Sequence, residues 1–446
     1  MNAKTRTAYA VAALAGVAAA SGLADGQFGI GTYCIAPYAQ TERHIRDLKE
    51  CGIDFVIGLR GDKARPLLEK YGIQEIVSGY IPHPPGSPTA GTWEQTAKLE
   101  MFDAGGARFL ADLKNGKYPT VAALSLGDEP NAVDFPHLGK TVARTQKAVK
   151  GFPLYLNLFP AYASATNATA RYPHAQLGAP TYREYVEAFC RHVPVDHISW
   201  DFYMYSPASK QYLPRFYENF VSVADACRRT GRKLRFVAQA NSSRSNFWVS
   251  VNMLRYQGSA TMAFGGESIA WACWTKGWWT NQVVDMNGER TQQYDKLKKV
   301  NLELKTIAPE YMRFKNTATW FVGFPSDSPE LKYVDDRPIA AFDDGFVRGL
   351  SAEDGGRLLV GAMSSRAQGC RDRAYFVFAA DDPFDESPRT RTVKFKLAEG
   401  FKARVLGGNG NMPLGMDAEG NRSFKLDSSA GALVVVSIEG EGCVDE

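Results

Sequence analysis

From residue 28 onward, short apolar runs with strand-like patterning alternate with longer segments in which apolar residues return every three or four positions. The apolar runs at 28–35, 55–59, 75–81, 120–126, 154–158, 197–203, 234–238 and 268–274 predict eight strands. Between and after them, segments 41–51, 93–114, 182–192, 212–230, 245–258 and 291–307 predict helices. The first opens on Thr41, a capping residue type, and is followed by Gly52, the residue best suited to a helix end. Strands that alternate with helices pair in parallel. Eight such units close into a barrel through right-handed crossovers. The expected fold is therefore a (β/α)8 TIM barrel over residues 25–308.

Past about Pro309 the helical period stops. Runs at 357–362, 374–379, 392–397 and 432–438 alternate or are β-branched, and Gly, Asp and Asn-rich turns such as Gly408-Asn409-Gly410-Asn411 separate them. This predicts a small C-terminal antiparallel β-sandwich over 309–446. There is no internal repeat and no low-complexity linker, so the two parts are expected to pack directly on each other.

The first residues follow a different logic. Lys4 and Arg6 precede an apolar stretch from Ala8 to Ala20, and small residues lead to Ala24. That is the layout of a secretory signal peptide, expected to be cleaved after Ala24 or Ala20. The stretch is too short and too Ala-rich to suit a membrane anchor. The mature protein is thus expected to be exported, to the periplasm or the extracellular space, with no membrane span. Lys and Arg number 52 against 48 Asp and Glu, which argues against a nucleic-acid partner. Of the seven cysteines, Cys34, Cys51, Cys190, Cys227 and Cys273 lie in or beside apolar segments and read as small hydrophobes. Cys370 and Cys443 both fall in the C-terminal part, where a disulfide between them is one option. There is no CxxC pair, no metal-ligand spacing among the histidines, and no GxGxxG, Walker-type or Gly-x-Ser-x-Gly loop. No metal and no cofactor are expected.

Active groups of such a barrel sit at the C-terminal ends of its strands. Strand 4 ends in Leu124-Ser125-Leu126-Gly127-Asp128-Glu129-Pro130-Asn131. Adjacent carboxyls are costly there unless one meets a partner or substrate. Glu129 is the expected general acid, with a helix N-cap as the alternative. Asp128 is expected to support it or to accept a hydrogen bond. Strand 6 carries Asp201 among apolar residues, ahead of Tyr203 and Tyr205. It is either the second carboxylate or a buried Asp satisfied by backbone or tyrosine hydroxyls. Asn157 ends strand 5, and Gln239 and Asn241 end strand 7. Trp274, Trp278 and Trp279 follow strand 8 as candidate stacking platforms, whereas Trp271 reads as core and Glu267 belongs to the opposite rim. Tyr33, Arg60 and His83 complete the possible substrate-binding rim.

With these residues the sequence resembles the (β/α)8 glycoside hydrolases, namely clan A and the family 42 β-galactosidase-like proteins. Members carry Asn-Glu-Pro or Asp-Glu-Pro at the end of strand 4 with Glu as acid/base, matched here by Asp128-Glu129-Pro130. It looks closer to secreted relatives of glycan-degrading bacteria, through Gly127–Pro130, Leu156–Pro160 and Asp201–Tyr203. The segment 284–288, with Tyr294, Val300, Asn301, Glu303 and Leu304, also looks like the end of such barrels. The resemblance implies an oligo- or polysaccharide substrate. It departs at strand 7, where clan A places a Glu nucleophile and this chain has Gln239. An uncharged amide cannot serve as that nucleophile. Asp201 is then the expected nucleophile or base, with Tyr203 an outside candidate by analogy with sialidases. The missing strand-7 acid also motivates a second expectation, a catalytically silent carbohydrate-binding barrel. A structural surface protein is a third.

Overall fold

The computed structural model describes residues 26–439 apart from 60, 62, 79–103, 150–151, 164–175, 206–212, 243–245, 278, 335–336 and 388. The expected signal peptide, Arg60, His83, Trp278 and Cys443 lie outside the described residues. Strands β1 (Gly29–Ile35), β2 (Phe55–Leu59), β3 (Gln74–Val77), β4 (Val121–Asp128), β5 (Leu154–Leu158), β6 (His197–Phe202), β7 (Lys233–Gln239) and β8 (Gly266–Ala272) form a closed parallel barrel. The β1–β8 seam pairs Gly29 with Ser268 and Thr32 with Trp271. Both faces of a parallel barrel are covered, which is why β5 and β6 are buried along their whole length.

Each strand is followed by a helix: α1 (Glu42–Glu50), α2 (Arg65–Tyr71), α3 (Ala104–Lys114), α4 (Phe135–Ala148), α5 (Tyr182–His192), α6 (Leu213–Thr230), α7 (Val251–Ala263) and α8 (Gln292–Tyr311). Helices α2 and α4 are additions to the six expected from the sequence. Pro occupies the first turn of each, where no intrahelical N–H is needed. Two details differ from the sequence reading. Thr41 is at the N-cap of α1 but makes no side-chain cap bond; its hydroxyl meets His44 Nδ1 at 2.8 Å instead. The helical run does not stop at Pro309, because α8 continues through it to Tyr311. A proline that late removes one bond of the last turn only. The Tyr311 hydroxyl also anchors that turn to the Met262 and Gly266 carbonyls at 3.1 and 3.0 Å.

Beyond α8 the chain builds two sheets. The larger holds β9 (Phe314–Val322), β10 (Pro338–Ile339), β12 (Leu358–Ser365), β13 (Arg373–Ala379), β15 (Phe401–Gly407), β16 (Gly410–Met412) and β19 (Gly431–Ile438). The smaller holds β11 (Val347–Ala352), β14 (Thr390–Leu397), β17 (Gly415–Met416) and β18 (Arg422–Asp427). Pairing is antiparallel throughout except between β9 and β10. Val360, Tyr375, Val377 and Val434 of the larger sheet meet Val393, Phe395, Phe424 and Leu426 of the smaller in a core of their own. Cys370 is disulfide-bonded, whereas Cys34, Cys51, Cys190, Cys227 and Cys273 are not, Cys34 and Cys190 being only half-buried.

The other face of the larger sheet lies directly on the barrel. Phe321, Leu359, Phe376, Phe378 and Leu433 share one apolar core with α6, α7 and α8. The last turn of α7 leaves carbonyls without helical partners. Thr319 Oγ1 and Asn316 Nδ2 both donate to the Ala263 carbonyl, at 3.0 and 3.2 Å. Glu267, at the start of β8, pairs with Arg366 at 2.6 Å.

Gly361 is the tightest point of this contact, since a Cβ there would stand 2.2 Å from the Ala263 carbonyl oxygen. Backbone oxygen cannot move aside as a side chain does. Gly361→Ala should therefore lower unfolding stability by about 1–3 kcal/mol, measured by urea denaturation. An unchanged midpoint would mean that the sheet and helix separate without cost.

Candidate active site

The end of β4 is shaped by its neighbours. A shift in register between Ser125 and Asp128 sets Asp128 opposite Asn157. Glu129 follows in the left-handed region at φ 48, a conformation costly for a side-chain-bearing residue. It is held there by its N–H, which donates to the Asn157 carbonyl at 2.9 Å. The next carbonyl, of Pro130, accepts from the Tyr185 hydroxyl at 2.7 Å. Asn131 then caps the following 3-10 turn through Val133 N–H at 3.0 Å. The helix-cap role weighed for the acids thus falls to Asn131.

Alternation along β6 separates its two faces. Trp200 and Phe202 turn outward onto Phe220 and Phe216. Ser199 and Asp201 turn inward to the lumen, as their bonds to Asn157 demonstrate. The Asn157 amide nitrogen donates to Asp201 Oδ1 at 2.7 Å and to Asp128 Oδ1 at 3.2 Å. Its amide oxygen accepts from Ser199 Oγ at 2.9 Å. Ser199 meets the Tyr155 hydroxyl at 3.0 Å, which meets the Tyr33 hydroxyl at 2.8 Å. Tyr203 adds a side-chain bond to the Asp201 carboxyl. Below this chain the Tyr155 ring stacks on buried His197, whose centroid is 5.5 Å away. Burial pulls His197 down to about 4, so its ring is neutral at physiological pH.

Three carboxyls therefore share one end of the barrel. Asp201 is only 3% exposed. Glu129 is half-buried, and Asp128 is reachable by solvent although protein surrounds it. Burial, then the neighbouring Asp201 and Asp128 charges, push Glu129 up to about 10. Burial, then Asp128, push Asp201 up to about 8 against the opposing bonds from Asn157 and Tyr203. Burial also raises Asp128, with Asn157 opposing. The Glu129 carboxyl makes no hydrogen bond among the described residues. No group of three or more His, Cys, Asp or Glu among them is arranged to hold a metal.

Several residues read from the sequence as substrate ligands have structural duties instead. Gln239 accepts from Tyr205 N–H at 2.7 Å and donates to the Tyr205 and Asn241 carbonyls at 2.8 and 2.9 Å, which uses its whole amide on backbone. Asn241 grips the Cys273 backbone on both sides, accepting from its N–H at 2.7 Å and donating to its carbonyl at 3.3 Å. Tyr205 is buried, with its hydroxyl on the Met253 carbonyl at 2.9 Å. Trp274 is fully buried against Tyr294 and offers no face to a sugar. Half-buried Trp279 does remain at the mouth, edge-to-face with Tyr203 at 4.5 Å. Tyr33 is half-buried there too. The sequence reading missed Tyr155 and Ser199, which stand two residues before Asn157 and Asp201. The two-residue strand period was the available signal.

No protein-family model matches the chain, and no curated protein matches its sequence. Solved structures match at the level of fold. A catalytic mutant of a GH42 β-galactosidase from G. stearothermophilus aligns with TM-score 0.51 at 10% identity, over 93% of this chain and 98% of that one. A glucosidase from Croceicoccus marinus aligns with TM-score 0.45 at 9% identity, over 92% and 96%. A β-galactosidase from Bacillus circulans sp. alkalophilus aligns with TM-score 0.43 at 10% identity over 65% of this chain, which spans 58% of that enzyme. The chain is thus a distant structural match to TIM-barrel glycoside hydrolases.

Two stability outcomes follow from the site. The Glu129 carboxyl rises from an ordinary 4.5 to about 10 on folding. Below the ordinary value both states are protonated and folding is not penalised. As pH rises past it, the unfolded chain releases the proton while the folded chain keeps it, so stability falls until the folded value is reached. Glu129→Gln should gain stability relative to wild type as pH rises from 5 to 9, read from thermal midpoints. A constant difference would contradict the burial of this acid. In turn, Gln239→Glu replaces a donor facing two carbonyls by an acceptor. It should cost about 1–3 kcal/mol in urea unfolding, and a neutral result would mean that the amide is not holding Tyr205.

Proposed function

We propose that the protein is a glycoside hydrolase acting on complex glycans or polysaccharides, exported to the periplasm or beyond once its leader is removed. The observation that carries this reading is the meeting of Asp128, Glu129 and Asp201 at the C-terminal end of the barrel, coupled through Asn157. Glycosidic cleavage needs one carboxyl that holds a proton near the leaving oxygen and one that supplies negative charge or activates water. Glu129 suits the first task, because burial and two neighbouring acids keep it protonated. Asp201 is assigned the second, as base or nucleophile, since Gln239 is uncharged and occupied. A neutral strand-7 position favours inversion through an activated water. Asp128, open to solvent, serves as a polar contact for sugar hydroxyls, while the buried Asn157 amide orients the carboxyls. Tyr203 and Trp279 supply the aromatic wall on which the apolar face of a pyranose rests.

One observation favours a second reading. Asp201 is almost closed to solvent, and strand 7 contributes no acid, so the site would bind a glycan without turning it over. A hydrolysis screen over a glycan panel distinguishes the two. Under the first reading wild type releases sugar, and Glu129→Gln loses roughly a hundred- to ten-thousand-fold of that rate. Binding without turnover by wild type would establish the second.

The pH profile is a separate check. Asp201 must be ionised and Glu129 protonated, so activity rises as Asp201 loses its proton and falls as Glu129 does. The two limbs are apparent values of the coupled cluster, near about 8 and about 10. Turnover should therefore peak on the alkaline side of neutrality. A maximum near pH 5 would reverse the assignment.

A further inference from the structure

Two cysteines, neither of them disulfide-bonded, stand side by side at the barrel mouth, one near the end of β1 and one just past the end of β8. Thr32 of β1 pairs with Trp271 of β8; Cys34 follows two residues later in β1, and Cys273 stands one residue past the end of β8. Beyond β8 the two segments stay side by side, with Trp274 N–H donating to the Tyr33 carbonyl at 2.8 Å and Thr275 N–H to the Cys34 carbonyl at 3.1 Å. The side chains converge as well. A Cβ placed on Gly277 would stand 2.9 Å from Cys273 Sγ and 3.3 Å from Cys34 Sγ, so both sulfurs press on the same spot. Any side chain at residue 277 would drive between them.

Both backbones are pinned in this arrangement. Cys34 is left-handed at φ 64, and its carbonyl accepts from Thr275 N–H at 3.1 Å and Thr275 Oγ1 at 2.5 Å. Cys273 is clamped on both sides by the Asn241 amide. Neither sulfur is buried in the helical layer. Both belong to the lumenal cluster with Tyr33, Tyr155 and Tyr203, and Cys34 is half-buried, so a small reagent reaches it.

We propose that Cys34 and Cys273 are a dithiol modification site that reacts with a low-molecular-weight disulfide and closes to a cross-link between β1 and the segment that follows β8. The Cys34 thiolate attacks one sulfur of the reagent, forming a mixed disulfide and expelling one thiol. The Cys273 thiolate then attacks the Cys34 sulfur and expels the second. Two protein thiols are oxidised, one disulfide is reduced to two thiols, and the protons pass to the departing thiolates. Cys273 neighbours Tyr203, which bonds to Asp201. The redox state of the pair is thereby linked to the carboxyl cluster. That consequence for turnover rests on the glycosidase reading; the cross-link does not.

The test is oxidised glutathione added to the folded full chain, followed by peptide mapping under non-reducing conditions. The expected product joins the peptides containing Cys34 and Cys273 and carries no glutathione. In Cys273→Ser, the mixed disulfide at Cys34 should accumulate instead, because no second thiol resolves it. A glutathione adduct that persists on Cys34 in the wild type would overturn the proposal. So would recovery of both thiols unmodified under conditions that oxidise a free dithiol peptide. The mass readout requires no turnover, so a chain that hydrolyses nothing still decides the matter.

Discussion

The site depends on one side-chain amide. Asn157 spans the gap between β4 and β6, and its nitrogen donates to two carboxyls that would otherwise repel each other across the lumen. A donor shared by two acceptors stabilises the charged form of each and fixes their separation. It performs this role only because its oxygen is held in turn by Ser199. That bond assigns which end of the amide faces the acids. The chain continues through Tyr155 to Tyr33 on the far side of the barrel. Four strands thus contribute to the orientation of one group, which is how a closed parallel barrel converts register into chemistry.

The Asn157 backbone contributes as well. Its carbonyl takes the Glu129 N–H and so supports the left-handed turn that ends β4. Without that turn, Asp128 and Glu129 would follow strand alternation and face opposite ways. With it, the two consecutive acids are electrostatically coupled to each other and to Asp201. The arrangement costs folding energy at neutral pH, since burial opposes the charge of Glu129 and Asp201. A fold optimised for stability alone would place apolar residues there. Strain and buried acid at one strand end are the usual trace of a functional demand.

Much of this architecture was legible in the chain. The barrel strands are short apolar runs of the right length, and β2 and β5 begin and end where the pattern put them. The inward direction of Asp201 followed from alternation once the strand was placed. What pattern could not reveal was pairing across the barrel. Gln239 and Asn241 sit where ligands of a sugar would sit, yet each is consumed by a neighbouring backbone. Trp274 looks like a platform in sequence but folds under the rim. These outcomes depend on partners far away in the chain. Helix α4 escaped because its apolar period is interrupted by Gly139 and polar Thr141 and Thr145, all three buried. A Cβ at Gly139 would stand 2.1 Å from the His192 carbonyl oxygen, so the glycine marks a close approach to the end of α5.

The sandwich bears on the mouth, and among the described residues it supplies no acid to the cluster. The segment between β13 and β14 reaches the C-terminal side of the barrel, where Phe384 packs edge-to-face on Tyr205 at 5.5 Å. The Asp385 carbonyl accepts from Asn252 Nδ2 at 3.3 Å at the start of α7. Tyr205 is therefore fixed from two sides, by the ring of Phe384 and by the Gln239 amide on its backbone. Two residues before it, Tyr203 touches Asp201. In this light the neutral residue at the end of strand 7 is not simply an absent acid. A carboxylate there could accept from Tyr205 N–H but could not donate to the Tyr205 and Asn241 carbonyls, so the rim that carries Tyr203 would lose its brace. The same amide that stands where an acid was expected holds in place the strand end that carries Asp201 and Tyr203.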